Sequence, residues 1–244
     1  MQPFNDPAMV ARYLETTPRK VPGFADLHRM VMLLLAEHAP EAANILVLGA
    51  GGGLELKALA EAQEGWRFVG VDPSLEMLDL ARRLLRPSLQ RVELHHGTID
   101  AAPPGPYDGA TCLLVLHFLE RDERLRTLRE IRKRLRPGAT LVVAHHSCPQ
   151  GDELHRWLSR SIAFGSEAPL NFAAASVSAS AMESRLPILS VDEDEALIRE
   201  AGFSKVAMFY AGLTFRGWVA AARSKDLSFV SAERAVGLAW NRHC

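Results

Sequence analysis

The sequence predicts an α/β protein built on a doubly wound, largely parallel β-sheet with helices on both faces. Three observations carry this expectation. Short apolar runs alternate with stretches of helical period from residue 44 to residue 144. A glycine-rich turn, Gly49-Ala50-Gly51-Gly52-Gly53, stands where the first strand passes into the first helix of that alternation. The next strand ends in an acid, Asp72, and sheets of this kind bind ligands at their strand C-termini.

The elements follow in order. Residues 9–39 read as helical but broken by Pro18 and Pro22. Pro22-Gly23 separates a short helix from a second over 24–39, with Leu27, Val31, Leu34 and Leu35 on one face. Residues 44–48 form a nearly continuous apolar run, the mark of a buried parallel strand. A helix over 54–64, a strand over 67–71, a helix over 75–85 stopped before Pro87, and a strand over 92–95 come next. Residues 108–114 give the fourth strand, 122–135 a basic helix that stops at Arg136-Pro137-Gly138, and 140–144 the fifth strand. Residues 148–189 are mixed and rich in Ser and Ala, with a helix around 152–164. A helix over 192–201 ends at Gly202, and 206–210 and 213–221 alternate as a closing hairpin across Ala211-Gly212. The tail, 225–244, reads as a surface helix. These divide into an N-terminal helical lid (1–40), a sheet domain (41–224) whose insert 148–189 covers the strand ends, and the tail.

Composition narrows the class. Of 244 residues, 48% are hydrophobic and 23% charged, and the formal net charge is −1, so no overall footprint for nucleic acid or an anionic membrane is present. Arg121, Arg124, Arg126, Arg129, Arg132, Lys133, Arg134 and Arg136 crowd one stretch. Asp122, Glu123 and Glu130 are interleaved, which reads as a solvated helix face. Cys112, Cys148 and Cys244 have no paired spacing and fit a reducing compartment. Cys148 lacks the basic neighbours that would make it a nucleophile, and the methionines read as core filler. The N-terminus shows no basic region followed by an apolar one, and the apolar runs are strand-sized. The expected address is cytoplasmic, away from membranes.

A glycine turn alone is shared with dinucleotide enzymes. Three features separate this one. Leu54 stands where the dinucleotide fingerprint has its last Gly or Ala, Asp72 is placed for ribose hydroxyls, and the chain closes with a hairpin pattern. A nicotinamide oxidoreductase is therefore disfavoured.

Residues 45–53, the Gly-Val-Asp-Pro-Ser block with Met77, the turn His96-Gly97-Thr98-Ile99, and Leu135-Arg136-Pro137-Gly138-Ala139 together resemble the ordered motifs of class I S-adenosylmethionine-dependent methyltransferases. The resemblance covers about residues 41–222. It implies a Rossmann-like, seven-stranded sheet, mostly parallel with an antiparallel C-terminal strand. It implies S-adenosyl-L-methionine as cofactor and S-adenosyl-L-homocysteine as product. Gly49, Ala50 and Gly51 would lie under the methionine moiety, Asp72 and Pro73 at the ribose, with Met77 nearby, and Thr98 and Ile99 beside adenine. The chain departs from the family twice: Val47 stands where an acid is usual, and Thr98 where the adenine-edge acid is usual, with Asp100 as a substitute.

A narrower resemblance, carried by Phe4-Asn5-Asp6, Val21-Pro22-Gly23-Phe24, Leu116-His117-Phe118-Leu119 and the segment from Ser190-Val191 to Gly202-Phe203, is to enzymes that carboxymethylate wobble uridine in tRNA. It implies that Phe24 covers the cofactor. The asparagine those enzymes carry after strand four is Leu113 here. Their carboxylate-holding arginine is replaced by Ala179, with Arg185 the nearest basic residue, so plain S-adenosylmethionine is expected.

Methyl transfer needs alignment of the acceptor and exclusion of water, and a base only when the acceptor starts protonated. Histidines at strand ends are the candidates: His117 after strand four and His145-His146 after strand five. Each could also cap a helix or bond backbone. His117 and His145 are taken as the catalytic candidates, and no metal-ligand spacing accompanies them. Tyr13 and Phe24 can cover the site from the N-terminal helices, or simply shield the sheet. Specificity would come from residues 1–24 and from the insert, where Trp157, Phe164, Phe172 and Met182 suggest an apolar lining. A small-molecule acceptor is the leading expectation, with a homodimer as the expected assembly. Transfer to tRNA and a non-catalytic binding module are the alternatives.

Overall fold

The computed structural model describes residues 7–224. Seven strands form one sheet: β1 Asn44–Leu48, β2 Arg67–Asp72, β3 Val92–His96, β4 Tyr107–Leu113, β5 Leu135–His146, β6 Phe203–Gly212 and β7 Phe215–Ala222. Their spatial order is β3-β2-β1-β4-β5-β7-β6. β1 to β5 run parallel to their neighbours, whereas β7 is antiparallel to both β5 and β6. This is the expected Rossmann-like sheet, and its order reverses between β1 and β4.

Strand alternation divides the core between two faces. Ile45, Val47, Phe68 and Val142 point to one face, where they meet Leu27, Val31 and Leu35 of α2 (Phe24–Ala36), Leu56 and Leu59 of α3 (Leu54–Ala62) and Leu78 and Ala81 of α4 (Leu75–Leu84). Leu46, Leu48, Cys112, Leu141, Val143 and Trp218 point to the other, against Leu125, Leu128 and Ile131 of α5 (Arg121–Arg134) and Leu197 and Ile198 of α8 (Val191–Glu200). Burial on both sides explains why the parallel strands read as unbroken apolar runs.

Four details differ from the sequence expectation. Helix α1 (Pro7–Lys20) continues through Pro18, because a proline in the last turn removes a single backbone hydrogen bond near the helix end. The insert holds α6 (Asp152–Phe164) and an unforeseen α7 (Phe172–Glu183), which starts where the Asn171 side chain accepts the Ala174 amide at 3.0 Å. The two share a small core of Leu154, Leu158, Ala179 and Ile188 with Cys148. The hairpin turns at Leu213-Thr214, since Gly212 already pairs with Phe215. Thr214 fixes that turn by accepting the Ser147 amide at 2.8 Å and by hydrogen bonds of its hydroxyl to His146 and Ser161. β5 starts earlier and ends later than residues 140–144, pairing from Tyr107↔Leu135 onward. The tail expected as a surface helix lies outside the described residues. Among the described residues, no helix is long and apolar enough to cross a membrane.

One buried ion cluster ties the α5/α8 layer to the sheet. Arg124 is fully buried and pairs with Asp194 of α8, while its other nitrogen donates to the Pro187 carbonyl at 2.9 Å. The second Asp194 oxygen lies 3.2 Å from His145 Nε2. Burial pushes the Asp194 carboxyl up, but His145, Arg124 and Ser147 outweigh it and hold the group below the usual carboxylate range. The stabilisation is therefore present at neutral pH and disappears as the pH falls through the depressed value. Asp194→Asn strands a buried arginine and should lower unfolding stability at pH 7 by about 3–5 kcal/mol, measured by urea denaturation.

Candidate functional site

The glycine turn follows β1 at the reversal of strand order. Gly49, Gly51 and Gly53 have φ of 81°, 50° and 86°, the left-handed region that side chains other than glycine rarely adopt. The Gly49 and Ala50 amides both donate to the Val71 carbonyl, at 2.8 and 3.0 Å, so the turn is tied to the end of β2. A Cβ on Gly49 would collide with Val115 Cγ2 of the segment after β4. The turn thus needs glycine for backbone conformation and for close packing together.

Asp72 closes the arrangement. Its Oδ2 accepts the Gly51 amide at 2.8 Å and its Oδ1 the Ser74 amide at 2.9 Å. Burial raises its pKa, against lowering by those two amides and by His96. The Ser74 hydroxyl in turn accepts the Met77 amide at 3.2 Å and caps α4. Met77 is buried beneath the turn: its methyl group lies 3.5 Å from where a Gly51 Cβ would stand. Pro73 is exposed, and its carbonyl meets His96 Nε2 at 3.0 Å.

Two side chains packed at this turn break the usual rules of burial. Tyr13 of α1 covers its outer side, with ring and hydroxyl 2.8 and 3.1 Å from the positions of a Gly52 and a Gly51 Cβ. Burial, reinforced by the charges of Asp72 and Glu55, pushes the Tyr13 phenol well up. Glu55, in the first turn of α3, is buried on the face that also holds Val47 and Thr111. Its Oε1 has no hydrogen-bond partner, and burial raises the carboxyl to about 7, against a smaller lowering by the Thr111 hydroxyl. Sequence reasoning weighed Tyr13 and missed Glu55; in the helical stretch Leu54-Glu55-Leu56-Lys57, nothing marks this acid as inward-facing.

The remaining site residues scatter more widely. Thr98 is exposed and donates to Asp100 at 3.3 Å, while Ile99 is buried in the α5-side core. Asp100 is engaged by Arg126 at 3.0 and 3.1 Å, so the acid offered as a substitute on the adenine side is committed to α5. Leu113 is buried at the end of β4, and Phe24 packs edge-on against His28 at 4.3 Å. The insert's side chains do not gather into one lining: Trp157 and Met182 pack on the α6/α7 core, and Phe164 and Phe172 are exposed beside two separate clefts of about 770 and 520 Å³. Neither cleft is lined by the glycine turn or Asp72.

The histidines part company. His145 does not reach the strand-edge site expected for it: it is fully buried beside Asp194, 5.4 Å from the Trp218 ring, because alternation turns its side chain toward α8. His146 points the opposite way, with Nδ1 2.7 Å from the Thr214 hydroxyl, and burial lowers it to about 3. His117 Nδ1 accepts the His146 amide at 3.4 Å, and its ring lies 4.7 Å from that of His146. Burial, then the neighbouring His146, His145 and Arg124, hold His117 well below its ordinary pKa. Both are neutral at physiological pH. Among the described residues, no cluster of His, Cys, Asp and Glu is arranged to hold a metal.

The class follows from this geometry and from comparison. Residues 46–141 match a methyltransferase domain family. The carboxy-S-adenosyl-L-methionine synthase of Pseudomonas fluorescens strain SBW25 is 28% identical over 211 residues, covering 83% of this chain and 85% of the relative. The protein of that name from Chromohalobacter salexigens is 26% identical over 220 residues, covering 88% and 82%. A candidate O-methyltransferase from Nostoc punctiforme superposes with a TM-score of 0.66 at 20% identity, over 88% of this chain and 60% of that one. The methyltransferase SibL gives 0.57 at 18%, over 91% and 72%. Over residues 46–141 the chain is thus similar to a methyltransferase domain, and its fold is shared with S-adenosylmethionine-dependent methyltransferases. The curated relatives bear the name of a synthase of the carboxylated cofactor, not of a tRNA carboxymethylating enzyme, so the narrower resemblance finds no support there.

Two outcomes are expected. Gly49→Ala, strained at φ 81° and colliding with Val115, should abolish measurable S-adenosylhomocysteine binding in calorimetry. Glu55 has a folded-state value raised to about 7 from 4.5, so the folded protein binds more protons across that window and its stability falls as pH rises through it. Glu55→Gln should flatten this dependence and raise the unfolding free energy at pH 8 by about 3 kcal/mol, read from denaturant titrations at several pH values.

Proposed function

We propose that this protein transfers the methyl group of S-adenosylmethionine to a small-molecule acceptor at the C-terminal edge of the sheet. The observation that carries this is the Asp72–Gly51 hydrogen bond, which presents a left-handed glycine turn and an acid side by side where the strand order reverses. What supports the fit is the left-handed glycine turn hydrogen-bonded to Asp72, with a second acid, Glu55, buried on α3 immediately after it.

In this reading Gly49, Ala50 and Gly51 receive the methionine moiety, Asp72 and Pro73 the ribose with Met77 behind them, and Thr98 and Ile99 the adenine through their backbone. Leu113 and Phe24 border the site. Two of the lone-pair positions of Asp72 are taken by amides, and the others remain for ribose hydroxyls. Tyr13 covers the turn, so α1 acts as the lid that excludes water. The cofactor, when bound, supplies the electrophilic methyl group. His117, whose Nδ1 already accepts an amide, keeps its proton on Nε2. It serves as a hydrogen-bond donor that positions the acceptor rather than as a base, and His145 takes no part in the chemistry.

A small acceptor is favoured over RNA by the state of the arginine-rich helix. Arg124 is buried, Arg126 pairs with Asp100, Arg121 and Arg129 with Glu200, and Arg134 with Glu130. A second reading, action on the cofactor itself, is favoured by the names of the curated relatives. Against it, Ala179 is sealed in the α6/α7 core and Arg185 is exposed, so no arginine stands where a carboxylated cofactor would call for one.

Calorimetry decides the central claim. S-adenosylmethionine and S-adenosylhomocysteine should bind, and Asp72→Ala should weaken both by roughly 10- to 100-fold through lost ribose and turn contacts. Failure of the folded wild-type protein to bind either would overturn the proposal. Tighter binding of the carboxylated cofactor would replace it with the second reading.

A further inference from the structure

We infer that Glu55 is a cofactor-binding residue, whose carboxylate receives the ammonium group of the methionine moiety from beneath the glycine turn. The inference rests on the proposal that the turn seats S-adenosylmethionine.

The argument starts from an imbalance. Glu55 is buried, its Oε1 has no hydrogen-bond partner, and among the described residues no ion pair includes it. A buried carboxylate left in this state is strongly unfavourable unless a cation or a donor reaches it. Among the described residues no lysine, arginine or histidine pairs with it, and the Thr111 hydroxyl only partly offsets the burial. The groups that face it are the Tyr13 phenol from α1 and the Thr111 hydroxyl from β4, with the Cys112 thiol on the far side of the sheet and, beyond them, the Asp72 carboxylate, which shares with it the field at Tyr13. All are neutral or anionic. The other buried ionic cluster of the molecule, Arg124 with Asp194, is paired within itself.

The ligand carries what the protein lacks. The methionine end of S-adenosylmethionine ends in an ammonium and a carboxylate, and a compact cation with three donors is a suitable partner for a buried acid. Position agrees with charge. Glu55 lies two residues beyond Gly53 on α3, on the same face of the sheet as Val47, whose register partner is Thr111. Val47 is the residue standing where an acid is usual in this family, so a carboxylate rising from α3 would restore from the helix the charge that the strand does not provide. Tyr13 stands within the field of both Glu55 and Asp72 on the outer side of the turn. The two acids would then divide the ligand, Asp72 taking the ribose and Glu55 the ammonium.

The experiment compares S-adenosylhomocysteine with its desamino analogue, in which hydrogen replaces the ammonium group, by calorimetry at pH 7. The wild-type protein should bind the natural compound at least tenfold more tightly. In Glu55→Gln that preference should vanish while 5′-methylthioadenosine, which lacks the amino-acid tail, binds as before and reports an intact nucleoside site. Binding of S-adenosylhomocysteine to the wild type should also release protons, seen as a dependence of the measured heat on buffer ionisation, because the arriving cation draws Glu55 into its ionised form. A purely structural glutamate would give no such release. Equal affinities of the wild type for the two compounds would overturn the inference without any variant, and so would a preference that survives Glu55→Gln. Absence of all binding to the wild type would instead overturn the cofactor proposal itself.

Discussion

The hydrogen bond from the Gly51 amide to Asp72 joins the ends of two neighbouring strands, and the rest of the site is built around it. With the Gly49 and Ala50 amides already donating to Val71, three consecutive amides of the turn are directed at the end of β2. This holds the loop in left-handed conformations that a free chain would populate sparingly. It also fixes Asp72, which would otherwise be free to swing, and Asp72 in turn carries the Ser74 amide that leads into the cap of α4. The geometry of strand end, turn and following helix is therefore one cooperative unit. A change at any of its members reaches the others through hydrogen bonds shorter than 3.3 Å.

Strand alternation decides what the adjacent histidines can do. His145 and His146 are neighbours in sequence, yet one lies beside Asp194 and Trp218 toward α8, and the other meets Thr214 and Phe215 on the opposite face. A pair of histidines after a strand is thus no pair in space. His117 comes from a different strand end and reaches His146 because β4 and β5 are parallel neighbours in register from Gly109↔Thr140 to Leu113↔Ala144. Burial strips His117 and His146 of easy protonation, and His145 lies against Asp194. That suits a reaction whose leaving group needs no proton.

What was legible in the sequence follows the strength of its periodic signal. The five parallel strands, the helices between them and the glycine turn carry both pattern and punctuation, and the structure places them close to the ranges read, except that β5 is longer at both ends. Helix α7 was hidden because Ala and Ser give no amphipathic contrast around its circumference. The hairpin turn was misplaced by two residues because Ala211-Gly212 looks like a turn, whereas Thr214 is held by side chains far away in sequence. Proline in α1 was overread, since its position within the helix, not its presence, sets its effect. Tyr13 and Glu55 belong to a different category. Their roles depend on which way a helix faces and what packs above it, and that information is tertiary.

The contrast between the two buried charge clusters bears on function more directly than any single motif. Arg124 and Asp194 pair with each other, and with His145 beside them they link α5, α8 and β5. Around the glycine turn the opposite holds. Asp72 and Glu55 both stand close enough to raise the Tyr13 phenol, among the described residues no arginine or lysine pairs with either of them, and three glycines of high conformational entropy precede α3. Each of these features opposes folding. Natural chains concentrate such violations where a ligand compensates for them. The charge that would compensate is positive. S-adenosylmethionine brings two such charges, its sulfonium and its ammonium, so the excess of acid at this turn matches the cofactor of the class more closely than it would a phosphate-bearing dinucleotide. The same turn of glycines in front of a paired, neutral surround would have carried no such implication.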